Sequence, residues 1–247
     1  MMAIQARENM SFTHDDHAPT SGPASVAPAA PAPAAPTAAA STTAAPAVAL
    51  KYADPTALGL FGLAIGCAAL LPVAFGVKSA MTVEALHMTA MICLLFGGGC
   101  QFLAGLMSFA NKNMLGGTLL TTFSFNWVMN WWALEGIAGG KMPSATVSLA
   151  VDLCFILIFA AMTYAFGFYS KLLLVFLLDI DVLYALRIVR ELTHTQAALA
   201  LPIALATVVL MLLALYIAVA LVLVNASGKS VLPMGGPAWG GGAPAGH

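Results

Sequence analysis

The sequence predicts an all-α membrane protein, with six transmembrane helices per protomer and a pore through each protomer. Three observations lead there. The 247-residue chain is 61% hydrophobic and only 8% charged, whereas a soluble domain carries about 25% charged residues. From residue 57 onward, six apolar stretches each come near the roughly 20 residues that carry a helix across a bilayer. Glycines and isolated amide or hydroxyl side chains recur inside those stretches, which suits helices packed closely around a path, because small residues let backbones approach in lipid.

Residues 1–50 precede the first stretch as a region of their own. A polar head containing Arg7, Glu8, His14, Asp15, Asp16 and His17 runs into an Ala/Pro tract. Proline is too frequent there for a stable helix and bulky apolar side chains are too few to bury, so a disordered tail is expected. The tract lacks the basic start and long apolar core of a signal peptide, which leaves the first membrane helix as the expected targeting signal. The transmembrane domain is placed at 51–228, and 229–247 is a short Gly/Pro-rich C-terminal tail. A net charge of −1 offers no basic surface for nucleic acid. Cys67, Cys93, Cys100 and Cys154 lie in apolar stretches without metal-site spacing, so they read as small packing residues, and neither metal nor cofactor is expected.

The six stretches are 57–77, 85–109, 115–136, 147–168, 172–189 and 199–224, separated by short polar or glycine-containing breaks. An even number places both termini on one side. Arg7, Lys51, Lys112, Lys171 and Lys229 fall on that side, against Lys78, Lys141, Arg187 and Arg190 on the other, an excess of one that leans toward cytoplasmic termini. In the first stretch, Gly59, Gly62, Gly66 and Ala69 make a small-residue ridge suited to close packing. In the second, His87, Met91, Leu94, Gly98, Gln101, Gly105 and Ser108 share one face at α-helical spacing. Gln101 lies deep enough to need a partner or water; His87 reads first as an interfacial group and second as a titratable charge site.

The third stretch sets Phe123, Asn126 and Asn130 on one face and gathers Trp127, Trp131 and Trp132 toward its far end, as an interfacial belt does. Asp152 opens the fourth, near enough to its start to reach interfacial water. The fifth is chemically unusual. Its 13 Leu, Ile, Val and Phe residues between Leu172 and Val189 favour insertion by roughly 4–8 kcal/mol, while Asp179, Asp181 and Arg187 each cost about 2.5–3.5 if central. Such a helix must be sheltered by its neighbours, with its acids neutral, paired or hydrated. Asp179 and Asp181 diverge by about 200° around the axis and are candidate proton or charge sites, an ion pair with another helix being the alternative. The sixth stretch is apolar and carries only Pro202 as an interruption.

Three segments together resemble the acetate uptake transporter family, which includes bacterial succinate–acetate permeases and fungal acetate and ammonium-export-associated proteins. DPTALGLFG, Asp54 to Gly62, is similar to the family's NPAPLGL signature. FGGGCQFLAGL, Phe96 to Leu106, is similar to its FYGG-x-x-Q-x-x-AGL helix, and the likeness runs without a gap through Gly116 and Thr118 to Trp127. SVLPMG, Ser230 to Gly235, is similar to its closing VLP-x-G. The resemblance implies a six-helix protomer in a hexamer, and passage of acetate and similar small monocarboxylates, with succinate a further substrate, by channel-like permeation or proton-coupled uptake. The family's constriction of a Phe in helix one, a Tyr in helix three and a Leu in helix five maps onto Leu63, Phe123 and Ile180. The chain departs from the pattern at Asp54 and Ala57, where the signature has Asn and Pro, at Ser108, where an acid is common, and at Phe123, which lacks the tyrosine hydroxyl.

The expected path runs from a vestibule at Asp54, Pro55, Leu58 and Gly59, past Leu63, Phe123 and Ile180, with Gln101 and Asn126 as hydrogen-bonding groups. Asp179 and Asp181 flank Ile180, and ionised acids there would repel acetate by roughly 4 kcal/mol at 4 Å and an effective dielectric of 20. The same acids would attract ammonium, so an ammonium or ammonia transporter of this fold is the nearest alternative, and a non-transporting membrane scaffold is another. No enzyme is expected, since no nucleophile, carboxylate dyad or metal pattern recurs at the needed spacing. The partners expected are the substrate acid, a proton, the lipid bilayer and further copies of the chain, in a plasma membrane or, as the alternative, an internal one.

Overall fold

The computed structural model describes residues 52–240, so the expected N-terminal tail lies outside the described residues. Six helices account for nearly all of the described chain: α1 Thr56–Ala74, α2 Val83–Ala110, α3 Met114–Ala138, α4 Ala145–Phe166, α5 Lys171–Thr193 and α6 Gln196–Ser227. Each begins or ends within a few residues of an apolar stretch, and the breaks contain the expected caps. Thr82, Asn113, Ser144 and Ser170 accept hydrogen bonds from the first-turn amides of α2, α3, α4 and α5, satisfying donors that a helix start leaves unpaired. Gly228 ends α6 at φ 67°, a left-handed conformation that glycine adopts without strain.

Four helices, α1, α2, α4 and α6, are long and apolar enough to cross a membrane by length and composition. The other two are more polar: α3 carries Asn126, Asn130 and Glu135, and α5 carries six charged residues. Large apolar side chains such as Met88, Leu157, Leu201 and Leu212 stand outward, an apolar exterior that water would not tolerate over such an extent. The protein is an integral membrane protein.

The helices pack in the order α3, α2, α1, α6, α5, α4, while α3 and α4, although consecutive in sequence, scarcely approach. The glycine ridge of α1 explains the tightest contacts. A Cβ on Gly62 would lie 2.4 Å from the Phe96 carbonyl oxygen, so α1 and α2 meet backbone to backbone there. A Cβ on Gly66 would strike the Trp127 ring, as would one on Gly97. Trp127 is thus seated in a slot between two helices and is only 2% exposed. The expected tryptophan belt is corrected at this position: Trp132 stands outward, but Trp127 belongs to the core.

A second correction concerns α2, whose middle, Cys93–Cys100, is π-helical. A π turn takes more residues than an α turn and rotates the helix face that follows it. Gly98 within it and Gln101, Gly105 and Ser108 after it are buried, but before it the buried set is Leu86, Thr89 and Ala90. His87 and Met91, placed on the same face by α-helical spacing, therefore point outward.

Candidate functional site

A cavity of about 180 Å³ opens at the bundle end formed by the starts of α1, α3 and α5 and the end of α6. Asp54, Thr56 and Asn113 bring polar groups to it, and its apolar wall includes Leu60, Leu119, Leu120 and Phe176. Asp54 is held by its own turn, its Oδ1 accepting from the Thr56 amide at 2.9 Å. The wall residues have a common position in the sequence. Leu60 precedes Leu63 by one helical turn, Leu119 and Leu120 precede Phe123, and Phe176 precedes Ile180. The cavity thus stops one turn short of the three mapped constriction residues on α1, α3 and α5.

Those three are enclosed, with Leu63 at 0%, Phe123 at 5% and Ile180 at 1% exposure, and they belong to one buried apolar cluster. Phe123 meets Phe159 of α4 edge-on at 5.3 Å between ring centroids, and Trp127 at 6.3 Å. Phe159 stacks in turn on Tyr184 at 5.4 Å and on Phe155 at 5.8 Å. These rings fill the space between α3 and α4 that the backbones leave. Arg187 lies over the other end of the array, its Cζ 5.4 Å from the Tyr184 centroid, a distance at which a cation and an aromatic face attract.

Two charged groups of α5, Arg187 and Asp181, are met by side chains of α4 that the sequence did not reveal. Arg187 Nε donates to Asp152 Oδ2 at 3.0 Å, and its Nη2 lies 3.0 Å from Oδ1. Asp152 is buried, which corrects its reading as a residue reaching interfacial water. Thr163 donates to Asp181 Oδ2 at 2.6 Å. Asp181 Oδ1 and Asp179 Oδ2 are enclosed without a hydrogen-bond partner, as are Gln101 Oε1, Trp127 Nε1 and Tyr184 Oη.

The remaining expected path residues divide. Pro55 and Asn126 are both buried, and neither lines the cavity. Gly59 serves the contact of α1 with Leu120 and Ala104. Leu58, 39% exposed, shares the outward face of α1 with Ile65 and lines no part of the cavity. His87 is half exposed at the opposite end of the bundle, its Nδ1 2.8 Å from Glu135 Oε2. Thr56, Leu60 and Phe176 are cavity residues that the sequence reading passed over; stepping back one turn from Leu63 and Ile180 would have found the last two.

The architecture defines a class first: an all-α integral membrane protein with a cavity at one end of the bundle, next to a buried apolar cluster. No family profile matches the chain. A 99-residue segment is 31% identical to the "Glyoxylate pathway regulator" of Yarrowia lipolytica (strain CLIB 122 / E 150), covering 40% of this chain and 35% of that protein. The match therefore spans about a third of the curated relative. Among solved structures, the fold is similar to the bacterial acetate channel SatP, with a TM-score of 0.67 and 23% identity over 75% of this chain and all of that one. The likeness is to a channel rather than to an enzyme, and the resemblance to the acetate uptake transporters drawn from the three sequence segments is upheld.

Proposed function

We propose that this protein passes acetate and similar small monocarboxylates across a membrane, with all six helices spanning the bilayer, a separate path through each protomer, and protomers assembled as a hexamer. The observation that carries the reading is the cavity that ends one turn before Leu63, Phe123 and Ile180 on three different helices. Substrate enters past Asp54 and Thr56, sheds part of its water at the apolar throat as small solutes do at a hydrophobic constriction, and meets Gln101 and Asn126 as hydrogen-bonding groups. The likeness to an acetate channel supports the substrate class.

Uptake of labelled acetate by the purified protein in liposomes, with and without an imposed pH gradient, tests the reading. Saturable uptake above empty liposomes is expected; uptake that rises with an inward proton gradient at fixed concentration of the permeant species marks coupling, and indifference to the gradient marks a channel. Phe123→Ala widens the throat and is expected to raise flux of larger acids such as butyrate relative to acetate. Unchanged selectivity removes Phe123 from the constriction. One observation favours a second reading, passage of ammonium: Asp54 stands at the mouth, and Asp179 and Asp181 each hold an enclosed oxygen without a partner. Competition by methylammonium separates the two.

A further inference from the structure

After α6 the chain returns to the cavity as a strap over residues 229–240, held by means unlike those that join the helices. Among these residues only Met234 packs against the buried apolar cluster, and only Met234 lines the cavity. The rest of the hold is a short set of hydrogen bonds. Tyr216 Oη of α6 donates to the Pro233 carbonyl at 3.1 Å. At the start of α5, Ser170 Oγ donates to the Met234 carbonyl, and the Lys171 and Leu172 amides donate to the Gly236 and Met234 carbonyls at 2.9 and 3.4 Å. Just past α4, the Gly167 carbonyl accepts from the Ala238 amide at 2.8 Å.

Trp239 fastens the far end. Its Nε1 donates to the Tyr164 carbonyl, and its ring stacks on Tyr164 and meets Phe168 edge-on at 6.1 Å between centroids. Tyr164 is 64% exposed, so this fastening lies on the outer surface while Met234 forms part of the cavity wall. The strap also has places to turn. Gly228, Gly235 and Gly240 stand at φ 67°, 71° and 73°, where a side chain would strain the backbone. A segment with one side chain against the core, and otherwise a few hydrogen bonds near the surface, opens at a lower cost than the helices it crosses.

We propose that residues 229–240 are a hinged lid on the cavity, turning at Gly228 and latched by Trp239 and Tyr216, and that its release withdraws Met234 from the wall and widens the mouth. Carbonyls of the lid accept from the first-turn amides of α5, so opening also frees the start of the helix that carries Leu173 and Phe176 in the cavity wall. Access is thereby controlled from a face outside the cavity. The lid holds whichever solute crosses, so its test stands apart from that of acetate passage.

The test uses the full chain in proteoliposomes with Leu60→Cys as a reporter in the cavity wall and Cys154→Ser to remove the exposed native thiol. Labelling by membrane-impermeant methanethiosulfonates of two sizes is compared between this protein and the same protein carrying Trp239→Ala. Labelling is expected to quicken about tenfold, the order that loss of a hydrogen bond and a ring stack gives, with the larger gain for the larger reagent. Hydrogen exchange in peptides spanning 170–172 and 237–239 is expected to quicken in step. Trp239→Phe, which keeps a ring on Tyr164, is expected to fall between, and it decides the matter if Trp239→Ala loses helical content. Faster exchange with unchanged labelling shows a strap that detaches without covering the cavity, and overturns the lid. Labelling and exchange both unchanged, in Trp239→Ala and again when Tyr216→Phe is added, overturn the latch and the lid with it.

Discussion

Asp152 and Arg187 show how one pair of side chains makes a difficult helix tenable. Arg187 alone on α5 would be an isolated charge among apolar residues; the carboxylate reaching it from α4 accepts from Nε through Oδ2 and sets Oδ1 3.0 Å from Nη2 as an ion pair. Removing one member of a buried pair strands the other, so Asp152→Asn is expected to destabilise the protein by about 3 kcal/mol, read as a lower unfolding midpoint in detergent. Replacing both, as Asp152→Leu with Arg187→Met, should recover much of the loss. Wild-type stability in the single variant would show that the pair does not support the fold. The sequence announced that the charges of α5 needed shelter, but not from whom. Helical spacing orders residues within one helix and says nothing of a partner 35 positions away. The same blindness put Trp127 in an interfacial belt: its seat is made by glycines of two other helices.

At the scale of elements, α2 and its π-helical middle deserve most weight. The glycines of this segment allow both the wide turn and the entry of the indole from α3. Gly97→Ala would place a Cβ 2.3 Å from Trp127 Cδ2, closer than packed atoms lie, and the rigid ring cannot yield without α3 moving. A drop in unfolding midpoint with a shift of the tryptophan emission maximum is expected; a variant that matches wild type in both would mean the slot is looser than its geometry indicates. The six helices themselves were legible, because apolar length and polar breaks fix a membrane helix well. The π turn was not, since FGGGC reads equally as an α-helical glycine cluster. Unbroken α-helical spacing therefore misplaces His87 and Met91, which precede the π turn, while Gln101 and Ser108, which follow it, do lie inward.

At the scale of the whole molecule, the last described residues fold back over the α4–α5 turn beside the cavity. Trp239 donates from Nε1 to the Tyr164 carbonyl at 3.1 Å, stacks on that ring at 5.5 Å, and lies against Gly167. Ser170, which caps α5, also donates to the Met234 carbonyl, and Met234 lines the cavity. The segment read from sequence as a short tail thus straps the α4–α5 turn and supplies a wall of the mouth. Trp239→Ala is expected to release the strap, giving faster proteolysis within residues 229–240 while the helical core stays intact by circular dichroism. Equal proteolysis of variant and wild type would assign the hold to the backbone hydrogen bonds at Gly167 and Lys171 instead.

The order of packing around the bundle carries one more consequence. Between α1 and α6 the halves of the molecule join along helix backbones, while α3 and α4 stand apart and meet through the rings of Phe123 and Phe159. An aromatic pair contributes about 0.5–1.5 kcal/mol beyond its buried area, far less than parting two packed helices would require. The bundle has a stiff spine and a compliant flank, and breathing motions of its bore should concentrate on the flank.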